Sequence, residues 1–270
     1  MLPFAGPAVP LSPGDIDATA ARMGILRASV VAVLTVETGG AGGYLSDGSG
    51  RPRILCEAKR FGDGTGHRWD ATYPNISSRV NNYKLYAGGA AEYDRLAQMV
   101  NLNRPVGLES ASWGLFQVMG SNWKLLGFES IEAFVTAMAA SEAAQLAVFA
   151  TFCERNYLVQ PLRDRDWPRF SRGYNGENYA LNHYDTRLQS AFLLADGNPP
   201  PDGVLHIGCK GPDVQALQRT LVTAGYPMIA DGVYGRVTEL AVRTFQSMRG
   251  MTADGIAGPA TSAALKGAAA

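Results

Sequence analysis

Ala28-Ser-Val-Val-Ala-Val-Leu-Thr-Val-Glu-Thr-Gly-Gly40 is an apolar run that stops on two glycines and carries a single carboxylate, Glu37, in its last turn. Glycine ends helices because it alone enters the left-handed conformation at little cost, so the run predicts a helix from about Ala28 to Thr38. In that last turn the negative end of the helix and the neighbouring Val33 and Val36 disfavour an ionised side chain, and the pKa of Glu37 is expected to be raised. A carboxyl that keeps its proton near neutral pH is what a leaving glycosidic oxygen requires as a general acid. Taken alone, a Glu before Gly-Gly is also what a solvated helix end looks like, so its meaning depends on the rest of the chain.

Outward from this helix the pattern stays helical. Ser12-Pro13 is a helix start, with Ser as cap and Pro at the first position, followed by Ile16, Ala20 and Met23 at helical spacing. Segments Ala90 to Leu102, Ser130 to Ala140, Ser141 to Asn156 and Asn182 to Ala195 also read as helices. The glycine-rich stretch up to Gly50 does not, and Arg53-Ile-Leu-Cys-Glu-Ala58 is a short strand after the Asp47-Gly48 turn. Ser112-Trp-Gly-Leu-Phe-Gln-Val-Met119 places the amide of Gln117 among apolar residues at the expected start of a buried helix, and Tyr174-Asn175-Gly176 sets a phenol and an amide on a turn. Amides bond sugar hydroxyls and N-acetyl groups in both senses, and tyrosine stacks and donates. The expected class is mainly α, with a small β element.

The chain has 270 residues, 46% apolar and 18% charged, with zero formal net charge. That is ample for a substantial domain and a small one. Neither part carries the basic excess of a nucleic-acid binder: from Val204 onward six Lys and Arg face four Asp and Glu. No apolar run reaches the roughly 18 residues of a membrane span, and Met1 to Pro10 lacks the pattern of a signal peptide, so synthesis in the cytoplasm is expected. Cys56, Cys153 and Cys209 form no CxxC, and His67, His183 and His206 form no HExxH, so no metal or other cofactor is expected. Trp69, Trp113, Trp123 and Trp167 are either a sugar-stacking platform or, more simply, core.

Asp196-Gly-Asn-Pro-Pro-Pro-Asp-Gly203 blocks both helix and sheet pairing and marks a linker. We therefore read residues 1–195 as one domain, 196–203 as the linker and 204–270 as a second domain. Within the second, Asp231-Gly-Val-Tyr-Gly-Arg-Val-Thr-Glu-Leu-Ala241 repeats as Asp254-Gly-Ile-Ala-Gly-Pro-Ala-Thr-Ser-Ala-Ala264, with Asp, Gly, Gly, Thr and Ala all 23 apart. Each copy reads as a tight turn feeding a helix. Pro212 to Gly225, with Val214, Leu217, Leu221 and Val222 on one face, is a third helix.

With Leu217-Gln218, Ala241-Val242 and Phe245-Gln246 added, this stretch resembles the peptidoglycan-binding domain 1 family, which implies a three-helix bundle that holds cell-wall glycopeptide without cutting it. In the first domain, Glu37-Thr-Gly-Gly40, Gly114-Leu-Phe-Gln117 and Tyr174-Asn-Gly176 occur in the order of the three motifs of the lysozyme-like superfamily. More closely, Leu11 to Leu194 is similar to the N-acetylmuramidase family of phage endolysins, through Val36 to Gly40, Arg53 to Glu57, Ser110 to Gly120, Tyr174 to Tyr179 and Tyr184 to Leu188. The resemblance makes Glu37 the catalytic acid and sets Gln117, Tyr174 and Asn175 along the saccharide cleft. Where the family usually shows Phe-Glu with a His shortly after, this chain has Cys56-Glu57-Ala-Lys59, which puts any role of that His in doubt.

Glu57 is the candidate second carboxylate, on the strand face of Leu55 and Lys59 if alternation holds, where the ammonium keeps it ionised. It would orient water or offset oxocarbenium charge, unless it is simply a surface ion pair. A separation from Glu37 of about 6.5 to 9.5 Å would mean inversion and about 5 to 5.5 Å retention. The expectation is a monomeric muramidase that cuts between N-acetylmuramic acid and N-acetylglucosamine, with peptidoglycan as its partner and neither membrane nor nucleic acid. From the resemblance, release to the wall would depend on a holin. A lytic transglycosylase using the same Glu37, and a non-catalytic wall-binding protein, are the alternatives.

Overall fold

The computed structural model describes residues 4–177, 184–196 and 204–269. It divides into two compact units, one of residues 1–15 and 42–156, the other of residues 16–41 and 157–270. Helix α1 (Pro13–Met23) begins as expected, with Asp15 N–H on the Ser12 hydroxyl at 3.3 Å, and α2 (Arg27–Thr38) ends at Gly39, whose φ of 57° is left-handed. The Gly39 N–H closes on the Thr35 carbonyl at 3.0 Å.

The first unit holds a small antiparallel sheet in the order β1 (Ile54–Cys56), β2 (Ala111–Trp113) and β3 (Val118–Met119). Ile54 pairs with Trp113 and Cys56 with Ala111. Around it lie α3 (Ala58–Gly64), α4 (Ala91–Leu102), α5 (Arg104–Glu109), α6 (Ile131–Ala140) and α7 (Glu142–Arg155). Ser130 and Ser141 cap α6 and α7 by accepting from the Ala133 and Ala144 amides at 3.0 and 3.1 Å. The core is Phe61, Leu96, Met99, Leu108, Trp113, Phe134, Met138 and Phe149, all essentially sealed from water. Burying each such side chain contributes about 1.5 to 3 kcal/mol before the entropy of ordering it.

In this core Glu92, fully buried, meets Arg95 at 2.8 Å. Glu92 also accepts from the Cys56 amide at 2.9 Å and the Ala87 amide at 2.7 Å, while Arg95 donates to the Cys56 carbonyl at 2.9 Å. The pair ties the end of β1 to α4, and burial beside Glu92 pushes the Cys56 thiol far up.

The second unit packs α2 against α10 (Tyr184–Ala195), with α8 (Val159–Asp164) and α9 (Trp167–Asn175) alongside. It also contains α11 (Pro212–Thr223), α12 (Arg236–Met248) and α13 (Pro259–Ala269), the expected three-helix arrangement, around Leu221, Tyr234, Val242, Phe245 and Leu265. The two turn repeats are built alike. The Gln218 amide accepts from Gly232 N–H at 2.8 Å and donates to Asp231, the Val233 carbonyl and Thr238 at 2.9 to 3.0 Å. Gln246 does the same with Gly255 at 2.9 Å, Asp254 at 2.7 Å, the Ile256 carbonyl at 3.0 Å and Thr261 at 3.1 Å. Among the described residues no single helix is long and apolar enough to cross a membrane.

Several local expectations are corrected. The strand drawn over Arg53 to Ala58 is three residues long, because Glu57 already stands at the N-cap of α3. Gln117 does not start a helix; it lies in the tight β2–β3 turn with φ at 49°. Tyr174 and Asn175 close α9 instead of sitting on a free turn. Val222, expected on the packed face of α11, is 43% exposed, whereas Trp113 is core, the simpler of the two readings. Asn182 and His183, drawn as the start of α10, and all of the linker except Asp196 lie outside the described residues.

Candidate active site

In the second unit Glu37 sits in the last turn of α2, between Val36, which is buried, and Gly39. Its Oε1 is shielded from water and has no hydrogen-bond partner among the described residues. Burial pushes its carboxyl up to about 8, against the smaller opposing pull of the Arg187 and Arg236 guanidiniums. Ionisation would strip water from that oxygen, a cost that the two guanidiniums offset only in part, so the protonated form is favoured.

The α2 end, left with free carbonyls by the helix geometry, is held by the same two cations. Arg236 Nη2 donates to the Glu37 carbonyl at 3.2 Å, and Arg187 Nη2 to the Val36 carbonyl at 3.4 Å. Arg187 pairs with Glu239 at 2.7 Å, and Arg243 reaches that carboxylate at 3.3 Å. Tyr174 stacks in parallel on Phe170, centroids 5.5 Å apart. Asn175 is exposed at the end of α9 and lines a cavity with Tyr184 and Arg187.

In the first unit Glu57 and Gln117 both belong to the edges of the small sheet. Glu57 N–H donates to the Ser110 carbonyl at 2.9 Å, which fixes its backbone beside β2. Its carboxylate meets Arg60 at 2.9 Å, not Lys59, which pairs with Asp63 at 2.6 Å. The expected alternation fails because the chain turns into α3 immediately after Cys56. The Gln117 side chain accepts from the Ser112 hydroxyl at 2.8 Å and donates to the Gly114 carbonyl at 2.8 Å, so the turn orients the amide.

Thus Glu37, Tyr174 and Asn175 are brought into one unit and Glu57 and Gln117 into the other. The arginines and Glu239 around Glu37 carry no local sequence signal, since they come from α10 and α12 and meet only through folding. Arg187 and Tyr184 do fall within a stretch that resembles the muramidase family, which was the one available pointer.

The chain thus combines a shielded carboxyl group on a helical scaffold with a small bundle built on two copies of one turn. The sequence pattern of the N-acetylmuramidase family matches residues 27–195, and that of a peptidoglycan binding domain matches residues 210–265. The chain belongs to the N-acetylmuramidase family.

Among solved structures it is similar to the Burkholderia AP3 phage endolysin, with 38% identity and a TM-score of 0.65, over 70% of this chain and 72% of that one. Among curated relatives it is 45% identical over 71 residues to the zinc D-Ala-D-Ala carboxypeptidase of Streptomyces albus G, and 43% identical over 65 residues to the N-acetylmuramoyl-L-alanine amidase CwlL of Bacillus licheniformis. These matches take in 24% and 23% of this chain but only 27% and 18% of those relatives, so the chain spans roughly a quarter or less of their length.

Proposed function

We propose that this protein is an endolysin-type peptidoglycan hydrolase that cleaves the bond between N-acetylmuramic acid and N-acetylglucosamine, with Glu37 as general acid. The observation that carries the reading is the shielded, partnerless Oε1 of Glu37 and a carboxyl raised to about 8. As the glycosidic bond breaks, Glu37 passes its proton to the departing oxygen, and the anion left behind is the form that Arg187 and Arg236 favour. Glu57 serves as the second carboxylate, orienting the attacking water or facing the oxocarbenium charge. Gln117, Tyr174 and Asn175 line the saccharide, the amides through hydrogen bonds and the ring by stacking.

Residues 1–195 form the catalytic domain in this reading, 196–203 the linker, and 204–270 the module that keeps the enzyme on its polymer; two modest affinities on one polymer reinforce each other. The protein acts as a monomer on the wall, after synthesis in the host cytoplasm and release through a holin. The likeness to a phage endolysin supports the endolysin part of this reading.

Turbidity of a peptidoglycan suspension tests the assignment. Glu37→Gln should abolish clearing while the protein still sediments with sacculi, and clearing at the wild-type rate would remove the assignment. A lytic transglycosylase is the second reading, favoured by the Glu57 carboxylate being already engaged by Arg60 at 2.9 Å. Mass spectrometry of the products separates the two, since hydrolysis adds water and the transglycosylase product is a 1,6-anhydro sugar.

A further inference from the structure

The cavity of about 470 Å³ beside α10 and α12 is lined, among the described residues, by the guanidiniums of Arg187, Arg236 and Arg243 and the carboxylate of Glu239. Arg187 and Glu239 are sheltered, with 12% and 9% of their side chains exposed, and Arg243 shows 18%. Among the described residues Glu239 meets both Arg187 and Arg243, while Arg236, more exposed, donates to the Glu37 carbonyl. Guanidiniums held at the wall of a cavity favour an anion inside it, because charge-assisted hydrogen bonds to a carboxylate are stronger there than in bulk water. A second observation points the same way. Tyr184, 7% exposed, also lines the cavity, and its buried hydroxyl has no partner among the described residues. A partnerless phenol beside guanidiniums is a donor set for a planar, two-oxygen anion, because a guanidinium meets a carboxylate with parallel bonds.

We propose that this cavity is a carboxylate-binding site that takes a free carboxylate of a wall peptide, through Arg187, Arg236, Arg243 and the Tyr184 hydroxyl. It is a contact to the peptide part of the wall polymer, separate from the glycosidic bond on which Glu37 acts. The ligand class rests on the reading that peptidoglycan is the substrate; the preference for a carboxylate rests on the cavity alone. Because Arg236 also holds the Glu37 carbonyl, a bound peptide would be anchored next to the end of α2.

Calorimetric titration of the full chain tests this, with L-alanyl-D-glutamate as probe against the same dipeptide carrying carboxamides in place of its carboxylates. The dicarboxylate should bind one site per chain and the diamide at least tenfold more weakly. Tyr184→Phe, which removes one oxygen, and Arg236→Gln should each weaken the dicarboxylate several-fold, whereas Arg219→Gln, the same loss of charge on the outer face of α11, should not. Equal binding of dicarboxylate and diamide overturns the site, as does an affinity untouched by both cavity variants or equally lowered by Arg219→Gln. Inorganic phosphate binding more tightly than the dipeptide would also overturn the carboxylate assignment. Turbidity clearing is read on the same wild-type preparation. Lost dipeptide binding with clearing intact sinks the cavity proposal alone, and absent clearing with binding intact sinks the muramidase reading alone.

Discussion

At the residue scale the consequence of Glu37 is a pH profile. As the proposed general acid Glu37 must be protonated, so turnover should fall as pH rises through about 8. Removing the Arg236 charge, which pulls that value down, should move the alkaline limb upward, and a pH series of initial rates on Arg236→Gln checks the direction. The same group shapes stability. The unfolded carboxyl titrates near 4.5 and the folded one near 8, so the folded chain holds the extra proton between those values. Its contribution is fully present below 4.5 and is lost as pH rises through 8. Denaturant unfolding at pH 5 and pH 9 should therefore show wild type losing stability relative to Glu37→Gln, on the order of a few kcal/mol. Parallel curves would mean the carboxyl is not shielded in solution. Glu57 invites a smaller test: in its exposed-side pair with Arg60, Glu57→Gln should leave stability within about 1 kcal/mol, so a several-fold drop in turnover would report a catalytic role.

At the scale of elements the two turn repeats carry the clearest prediction. Gln218 and Gln246 each satisfy a glycine amide, an aspartate, a carbonyl and a threonine from one side chain. Leucine at either site leaves those groups buried and unpaired, so Gln218→Leu and Gln246→Leu should each cost about 2 to 4 kcal/mol by denaturant unfolding. A neutral result at one site would show that the two copies are not equivalent in strength. Long helices with clear caps were legible: Ser12, Ser130 and Ser141 announce α1, α6 and α7, and Gly39 ends α2. The short elements were not. β2 and β3 contain five residues between them, too few for periodicity to speak, and the apolar neighbours of Gln117 fit a helical period as well as a strand's.

For the whole molecule, losing residues 204–270 should weaken binding to sacculi far more than turnover of soluble glycan fragments, by sedimentation and reducing-end release respectively. An equal loss on both would make the bundle a structural part of the enzyme. The contact of Arg236 with the Glu37 carbonyl makes some change in turnover expected, though smaller than the loss of binding.

What the sequence determined unaided is local: the helix carrying Glu37 with its glycine stop, the doubled turn of the C-terminal bundle, and the order of motifs that resembles the muramidase family. Each is written in a few neighbouring residues, where chain stereochemistry acts directly. Which charges surround Glu37 was decided only by tertiary structure. Arg187 and Arg236 stand 150 and 199 residues beyond it, and no spacing rule reaches that far. So too the shielding that keeps its proton, because burial depends on what packs over a helix end, and no stretch of chain specifies that about itself.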